Sequence, residues 1–193
     1  GGEGGIVTVE LLNAEESEDF NEACRAAGAR FSGGVMACAA LADHELSGAE
    51  TFHGFTPLDV RSGDAQLLSV GWYASLFPVS VPVGDRDFSQ MARAAQKSFD
   101  ANRQLSAVPF KRVLDLTSPD ELGITSAGRP SMMVSLMDFR GLADAEADRF
   151  GIYLDNLSHG GINTWIVRHC DQTTITVSFP ETPQARHSVH DYI

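Results

Sequence analysis

The stretch Ser69-Val70-Gly71-Trp72-Tyr73-Ala74-Ser75-Leu76-Phe77-Pro78-Val79 decides how the rest of the chain is read. It is a long apolar run broken by one glycine, with a tryptophan directly behind it. Polar Ser62-Gly63-Asp64-Ala65-Gln66 stands before it and Gly84-Asp85 after it, so the run reads as a buried strand. Gly71 inside such a strand marks a bulge, or a place where another backbone or a ligand comes close.

Upstream of it, Thr51 to Arg61 reads as a strand entering a loop, and Ile6 to Leu12 as an alternating, β-branched strand. Asn13 offers an N-cap, and Glu15, Glu16, Glu18 and Asp19 suit the positive end of a helix. In that helix Phe20, Ala23, Cys24 and Ala27 share one face, and Gly28 is its stop. A second helix, apolar nearly all round and therefore buried, runs from about Gly34 to His44.

Downstream, Asp87 caps a helix that buries Phe88, Met91, Ala95 and Phe99, and a shorter helix covers Pro109 to Leu114. Leu116 to Pro130, rich in Ser, Thr, Gly and Pro, reads as a surface loop. Four strands are expected after it: Met132–Met137, Phe150–Leu154, Ile162–Val167 and Thr173–Phe179. Turns at Asn156–Gly161 and His169–Gln172 separate the last three, and a helix over Thr182–Tyr192 closes the chain. Helices early, strands late and a mixed middle give an α+β fold, a mixed β-sheet flanked by helices.

The chain has 193 residues, enough for one domain with a real core. Its 26 acidic and 14 basic residues leave a net charge of −12, which argues against nucleic acid as a partner. Three scattered cysteines, Cys24, Cys38 and Cys170, give no metal spacing; Cys24 and Cys38 among alanines read as small buried hydrophobes of a reducing compartment. No apolar run approaches the roughly 18 residues that span a bilayer. Gly1 to Gly5 read as a flexible lead-in, and the missing initiator methionine reads as the mark of a fragment, a single domain or a processed product.

Among chemistry-bearing patterns, His187 and Asp191 have helical i, i+4 spacing, but at the chain end they read as a surface pair. His53, between Phe52 and Gly54, reads as a half-buried structural histidine, His159 as solvated, and His44 as a helix-end cation. No G-x-S-x-G elbow, phosphate loop or dinucleotide fingerprint is present. Asp59 and Arg61, two apart on an extended segment, point the same way, either as an ordinary surface pair or as a site where Arg61 grips a buried carboxylate.

Taken in order, Thr56-Pro57-Leu58-Asp59-Val60-Arg61, Val70 to Val79, and Val108-Pro109-Phe110-Lys111-Arg112-Val113-Leu114 resemble the condensation-domain superfamily. The chain looks like the carboxy-terminal half of such a protein, and is most similar to the polyketide-associated acyltransferases of mycobacteria and related actinobacteria. Ala23 to Ala29 followed by Gly33-Gly34-Val35, and Val177-Ser178-Phe179-Pro180 before the last helix, are similar as well. The likeness implies a chloramphenicol-acetyltransferase-like lobe over residues 1–193, one of two lobes with the site in a tunnel between them. The family's histidine motif, H-H-x-x-x-D-G, is absent from this chain. The resemblance therefore implies no catalytic residue here, and a partner lobe, amino-terminal, that carries the catalytic histidine.

What carries over is the other tunnel wall: Gly71, Trp72, Leu76 and Phe77, with Asp59 and Arg61 at the lobe interface and Arg61 pairing with the motif aspartate. The implied reaction moves an acyl group from a thioester, on coenzyme A or a carrier protein, to a hydroxyl of a trehalose-type glycolipid. No metal and no cofactor are implied, and the implied place is cytoplasmic, peripheral at the inner membrane face. Two other readings stand beside this one: a condensation domain of a peptide synthetase, forming an amide, and a lobe that only binds.

Overall fold

The structure, a computed structural model, describes residues 4–67, 69–116, 132–141 and 162–193. The expected loop over 117–130, the strand over 150–154 and the turn holding His159 lie outside the described residues.

Strand β1 (Gly4–Asn13) leads into α1 (Ala14–Ala26) through a capping box. The Glu16 N–H donates to Asn13 Oδ1 at 3.0 Å, and the Asn13 N–H donates to Glu16 Oε2 at 2.9 Å. Gly28 ends the turn after α1 at φ 75°, a conformation that glycine adopts without a Cβ penalty. Helix α2 (Phe31–Ser47) starts one turn earlier than the apolar run suggests and is buried through most of its first three turns. Its His44 plays a more specific part than that of an end cation: Nδ1 donates to the Ala49 carbonyl at 2.8 Å and anchors the exit turn.

Strand β2 (Thr51–Asp59) pairs antiparallel with β3 (Ala74–Pro82), and the short helix α3 (Asp64–Leu67) lies between them. Helix α4 (Phe88–Asn102) is capped by Asp87 and Gln90 as α1 is by Asn13 and Glu16. A 3-10 turn (Arg103–Ala107) and α5 (Phe110–Leu116) follow. Strands β4 (Met132–Asp138), β5 (Asn163–Arg168) and β6 (Gln172–Pro180) and helix α6 (Pro183–Tyr192) complete the described chain.

The six strands form one mixed sheet in the order β1-β6-β5-β4-β2-β3. β4 is parallel to both of its neighbours, β2 and β5, and the remaining pairs are antiparallel. Helices α2 and α4 pack on the sheet through a core of Phe31, Val35, Met36, Ala37 and Ala40 against Phe52, Phe77, Val79 and Val81. The Phe77 and Phe99 rings meet edge-to-face at 5.0 Å, tying α4 to β3.

The strand expected from Ser69 begins only at Ala74, and Ser69–Tyr73 form an outward loop with Val70 and Trp72 exposed. The last rung before the loop is the Val60 N–H donating to the Tyr73 carbonyl at 2.8 Å. Beyond it the loop meets its polar needs locally, since Ser69 Oγ bonds both the Gln66 carbonyl at 2.9 Å and Tyr73 Oη at 2.8 Å. Apolar composition there tracks an exposed patch, not a buried ladder.

Candidate functional site

The start of β3, the loop before it, the 3-10 turn and the start of α5 enclose a recess of about 570 Å³. The Phe55 and Phe110 rings, 4.9 Å apart, hold α5 against β2, and Val60, Trp72, Leu76 and Pro109 give the recess an apolar lining. Trp72 is 92% exposed at its rim, with Val70 exposed on the same loop and Leu67 exposed at the end of α3. Monomers seldom leave contiguous large apolar side chains uncovered.

The expected wall residues separate. Trp72 and Leu76 line the recess. Gly71 is exposed beside Trp72, and what comes close to it is the ring of Tyr73: a Cβ there would stand 2.8 Å from Tyr73 Cε2. The expectation for Phe77 is corrected, because that side chain is fully buried against Phe99. Phe77 packs into the core under α4, whereas Leu76 lines the recess.

Asp59 and Arg61 do meet, at the end of β2. Arg61 Nη1 lies 3.1 Å from Asp59 Oδ2, and the Arg61 backbone N–H donates to Asp59 Oδ1 at 2.9 Å. That backbone bond, with the guanidinium beside it, holds the Asp59 carboxyl below its ordinary range. Arg61 also stacks over the Tyr73 ring at 4.5 Å and donates from Nε to the Gln66 carbonyl at 3.2 Å. The guanidinium is thus oriented by the loop that carries Trp72, and in this chain its carboxylate is Asp59.

Sequence reasoning missed two polar groups. Ser75 is 9% exposed, lines the recess, and its Oγ has no hydrogen-bond partner. It is in phase with Phe77, Val79 and Val81, so a hydroxyl on the core face of β3 was there to be noticed. Arg168 is the second, 2% exposed and in phase on β5 with buried Thr164 and Ile166. Nη1 reaches Asp138 Oδ2 and Nη2 reaches Ser17 Oγ, each at 3.4 Å, while Nε has no partner. Asp138 is held below the usual carboxylate range chiefly by hydrogen bonds from Arg140, and burial, with Arg140 nearby, lowers Arg168.

The histidines stand apart from the recess. His187 Nε2 lies 3.6 Å from Asp191 Oδ2, with both side chains largely in solvent on α6. His53 is exposed, not half-buried, and shares a 3.0 Å hydrogen bond with Ser80 Oγ across the β2–β3 ladder. Cys24 is buried, whereas Cys38 is exposed, contrary to expectation, and borders a hollow under α2.

No family model matches the chain. It is 37% identical over 196 residues to acyltransferase PapA3 of Mycobacterium tuberculosis, covering 97% of this chain and 40% of that protein. It is 40% identical over 195 residues to trehalose-2-sulfate acyltransferase PapA2 of Mycobacterium bovis, covering 98% of this chain and 41% of that protein. The chain therefore spans about two fifths of the length of the curated relatives it matches. The solved structure of a PapA2 acyl transferase superposes with a TM-score of 0.87 at 39% identity, over 99% of this chain and 42% of that one. The first condensation domain of the CDA synthetase superposes at a TM-score of 0.65 and 15% identity, over 98% of this chain and 43% of that one, a likeness of fold alone. The chain is a homologue of part of the Pap-type acyltransferases, built on the chloramphenicol-acetyltransferase-like fold that condensation domains share.

Proposed function

We propose that this chain is the carboxy-terminal lobe of a two-lobe acyltransferase, and that the Trp72 recess is one wall of its reaction chamber. The carrying observation is the exposed apolar loop around Trp72, at the rim of a recess with an unpartnered hydroxyl, in a chain about 40% as long as its acyltransferase relatives. A surface of that kind suits a second lobe laid over it.

In this reading a histidine on the other lobe takes the proton of an acceptor hydroxyl. The alkoxide oxygen attacks the thioester carbonyl carbon, the carbon–sulfur bond breaks, and the proton passes to the departing thiolate. Leu76 and Trp72 hold the acyl donor and exclude water. Arg61 braces the interface through the motif aspartate of the other lobe. The acceptor is a trehalose-type sugar or lipid, as the name of the PapA2 relative, a trehalose-2-sulfate acyltransferase, suggests, and the enzyme works on the cytoplasmic side, peripheral to the inner membrane.

The test compares the complete polypeptide with the 193-residue chain, using a long-chain acyl coenzyme A and trehalose-2-sulfate, with product followed by mass spectrometry. The complete protein is expected to transfer the acyl group and the chain alone to be inert. Transfer by the chain alone at the complete protein's rate would sink the reading. An amine-only acceptor range would turn it into the peptide-synthetase alternative, and no transfer by either into the binding lobe.

A further inference from the structure

Gly71 is not a glycine for the sake of its backbone, which lies outside the left-handed region. Space is the reason: a Cβ there would stand 2.8 Å from Tyr73 Cε2 and 3.4 Å from Tyr73 Cδ2 and Cζ. The Tyr73 ring lies against the residue before Trp72, and three contacts keep it there. The Tyr73 carbonyl accepts from the Val60 N–H at 2.8 Å, and Tyr73 Oη shares a 2.8 Å hydrogen bond with Ser69 Oγ. The ring face carries the Arg61 guanidinium, 4.5 Å from the centroid.

The other side of the loop closes on Gln66. Its carbonyl accepts from Arg61 Nε at 3.2 Å, from the Ser69 N–H at 3.2 Å and from Ser69 Oγ at 2.9 Å. Its side-chain Oε1 accepts from the Ser62 N–H at 2.6 Å. Ring to guanidinium, guanidinium to carbonyl, carbonyl to hydroxyl and hydroxyl to phenol, the four residues make a closed circuit. The Arg61 side chain is 27% exposed, so its stack on the ring is partly desolvated and stronger than a contact in open water. A loop whose polar groups are paired internally is ordered before a ligand arrives, which spares binding the cost of ordering it.

Trp72 stands between the two residues in contact, Gly71 and Tyr73. It lines the recess, yet its side chain is almost wholly exposed and has no core packing to fix its place. Its position is therefore set through its neighbours. We propose that Tyr73 is the positioning residue of the recess, bracing the loop so that Trp72 is held at the rim where the acyl donor enters. The brace stands on this geometry alone; the link to the donor rests on the acyltransferase reading.

Amide exchange at Ser62 and Ser69 of the 193-residue chain, read by fragment mass spectrometry, measures the brace, with α4 as the internal control. Tyr73→Ala is expected to speed both amides about tenfold and leave α4 unchanged, as local opening does. Wild-type exchange in that variant, or an equal rise in α4, overturns a local brace. Tyr73→Phe keeps the ring and loses one hydrogen bond, so a rise of about threefold is expected. Gly71→Ala is expected to speed exchange about tenfold beside Tyr73 and less than about twofold in the Tyr73→Ala background, where the ring is gone. Equal effects in the two backgrounds overturn the brace as well. In the complete polypeptide, Tyr73→Ala is expected to raise KM for a long-chain acyl coenzyme A about fivefold, with KM for trehalose-2-sulfate within about twofold of wild type and Tyr73→Phe restoring most of the loss. A rise in both KM values, or in neither, overturns the link to the donor. A wild type that transfers no acyl group sinks the acyltransferase reading, and amide exchange still decides the brace.

Discussion

The guanidinium carbon of Arg168 lies 3.6 Å from the centroid of the Phe31 ring, so a buried cation at the end of β5 rests on the first residue of α2. Its charge is shared with Asp138, which also takes two hydrogen bonds from the Arg140 guanidinium at 2.7 and 2.8 Å. The cluster joins the ends of β4 and β5 to α1 through Ser17.

Asp138→Asn leaves Arg168 buried without a carboxylate. Breaking a fully buried pair costs roughly 3–5 kcal/mol. Because the Asp138 side chain is 39% exposed, solvent screening brings the expected loss down to about 1–2 kcal/mol at pH 7. The folded Asp138 titrates below its unfolded value, so its contribution is present above about pH 4 and fades as pH falls through the lower folded value. Urea midpoints of wild type and variant should therefore differ at pH 7 and converge toward pH 3. A gap that stays constant over that range would show that the carboxylate charge does not matter.

Trp72→Ala removes a side chain that touches mostly solvent, so the stability of the chain should change by no more than about 0.5 kcal/mol. In the complete polypeptide the same change should lower kcat/KM for acyl transfer by about tenfold or more, as loss of a buried aromatic anchor does. Parallel urea melts and steady-state assays check the two halves, and unchanged kcat/KM would remove Trp72 from the chamber wall.

Arg61→Ala should cost the chain at most about 1 kcal/mol, since the Asp59 pair is largely at the surface and the Tyr73 stack is modest. In the complete polypeptide a larger loss is expected, in thermal stability and turnover together. Arg61→Lys should not restore it, because a lysine lacks the planar fork that stacks on Tyr73 while gripping a carboxylate. Melting temperature and kcat for the three proteins decide the matter, and full rescue by lysine would reduce Arg61 to a point charge.

Asn13→Ala removes the oxygen that accepts from the Glu16 N–H and should destabilise the chain by about 1 kcal/mol. Asn13→Gly should cost only a few tenths of that. Chemical denaturation at neutral pH measures both, and equal losses would mean that backbone freedom, not the cap, sets the effect.

The local elements were legible in the residues. Both capping boxes join groups three positions apart, Asn13 with Glu16 and Asp87 with Gln90, and such pairs depend on no distant partner. The β-branched alternation of β1, the His169–Gln172 turn and the closing helix α6 are of the same kind. The ordered motifs from Thr56 to Leu114 also led to the right relatives.

Only the tertiary structure decided where those elements face. Arg168 finds Asp138 30 positions away and Ser17 151 positions away, so its burial could not be read from its neighbours on β5. The apolar run of β3 was plain, but which of its residues enter the core was set by α4, whose Phe99 takes Phe77 into the core and leaves Leu76 for the recess. The loop around Trp72 has the composition of a core strand and the exposure of an interface. Hydrophobic burial depends on which surfaces meet in space, and those contacts arise only once the sheet has closed.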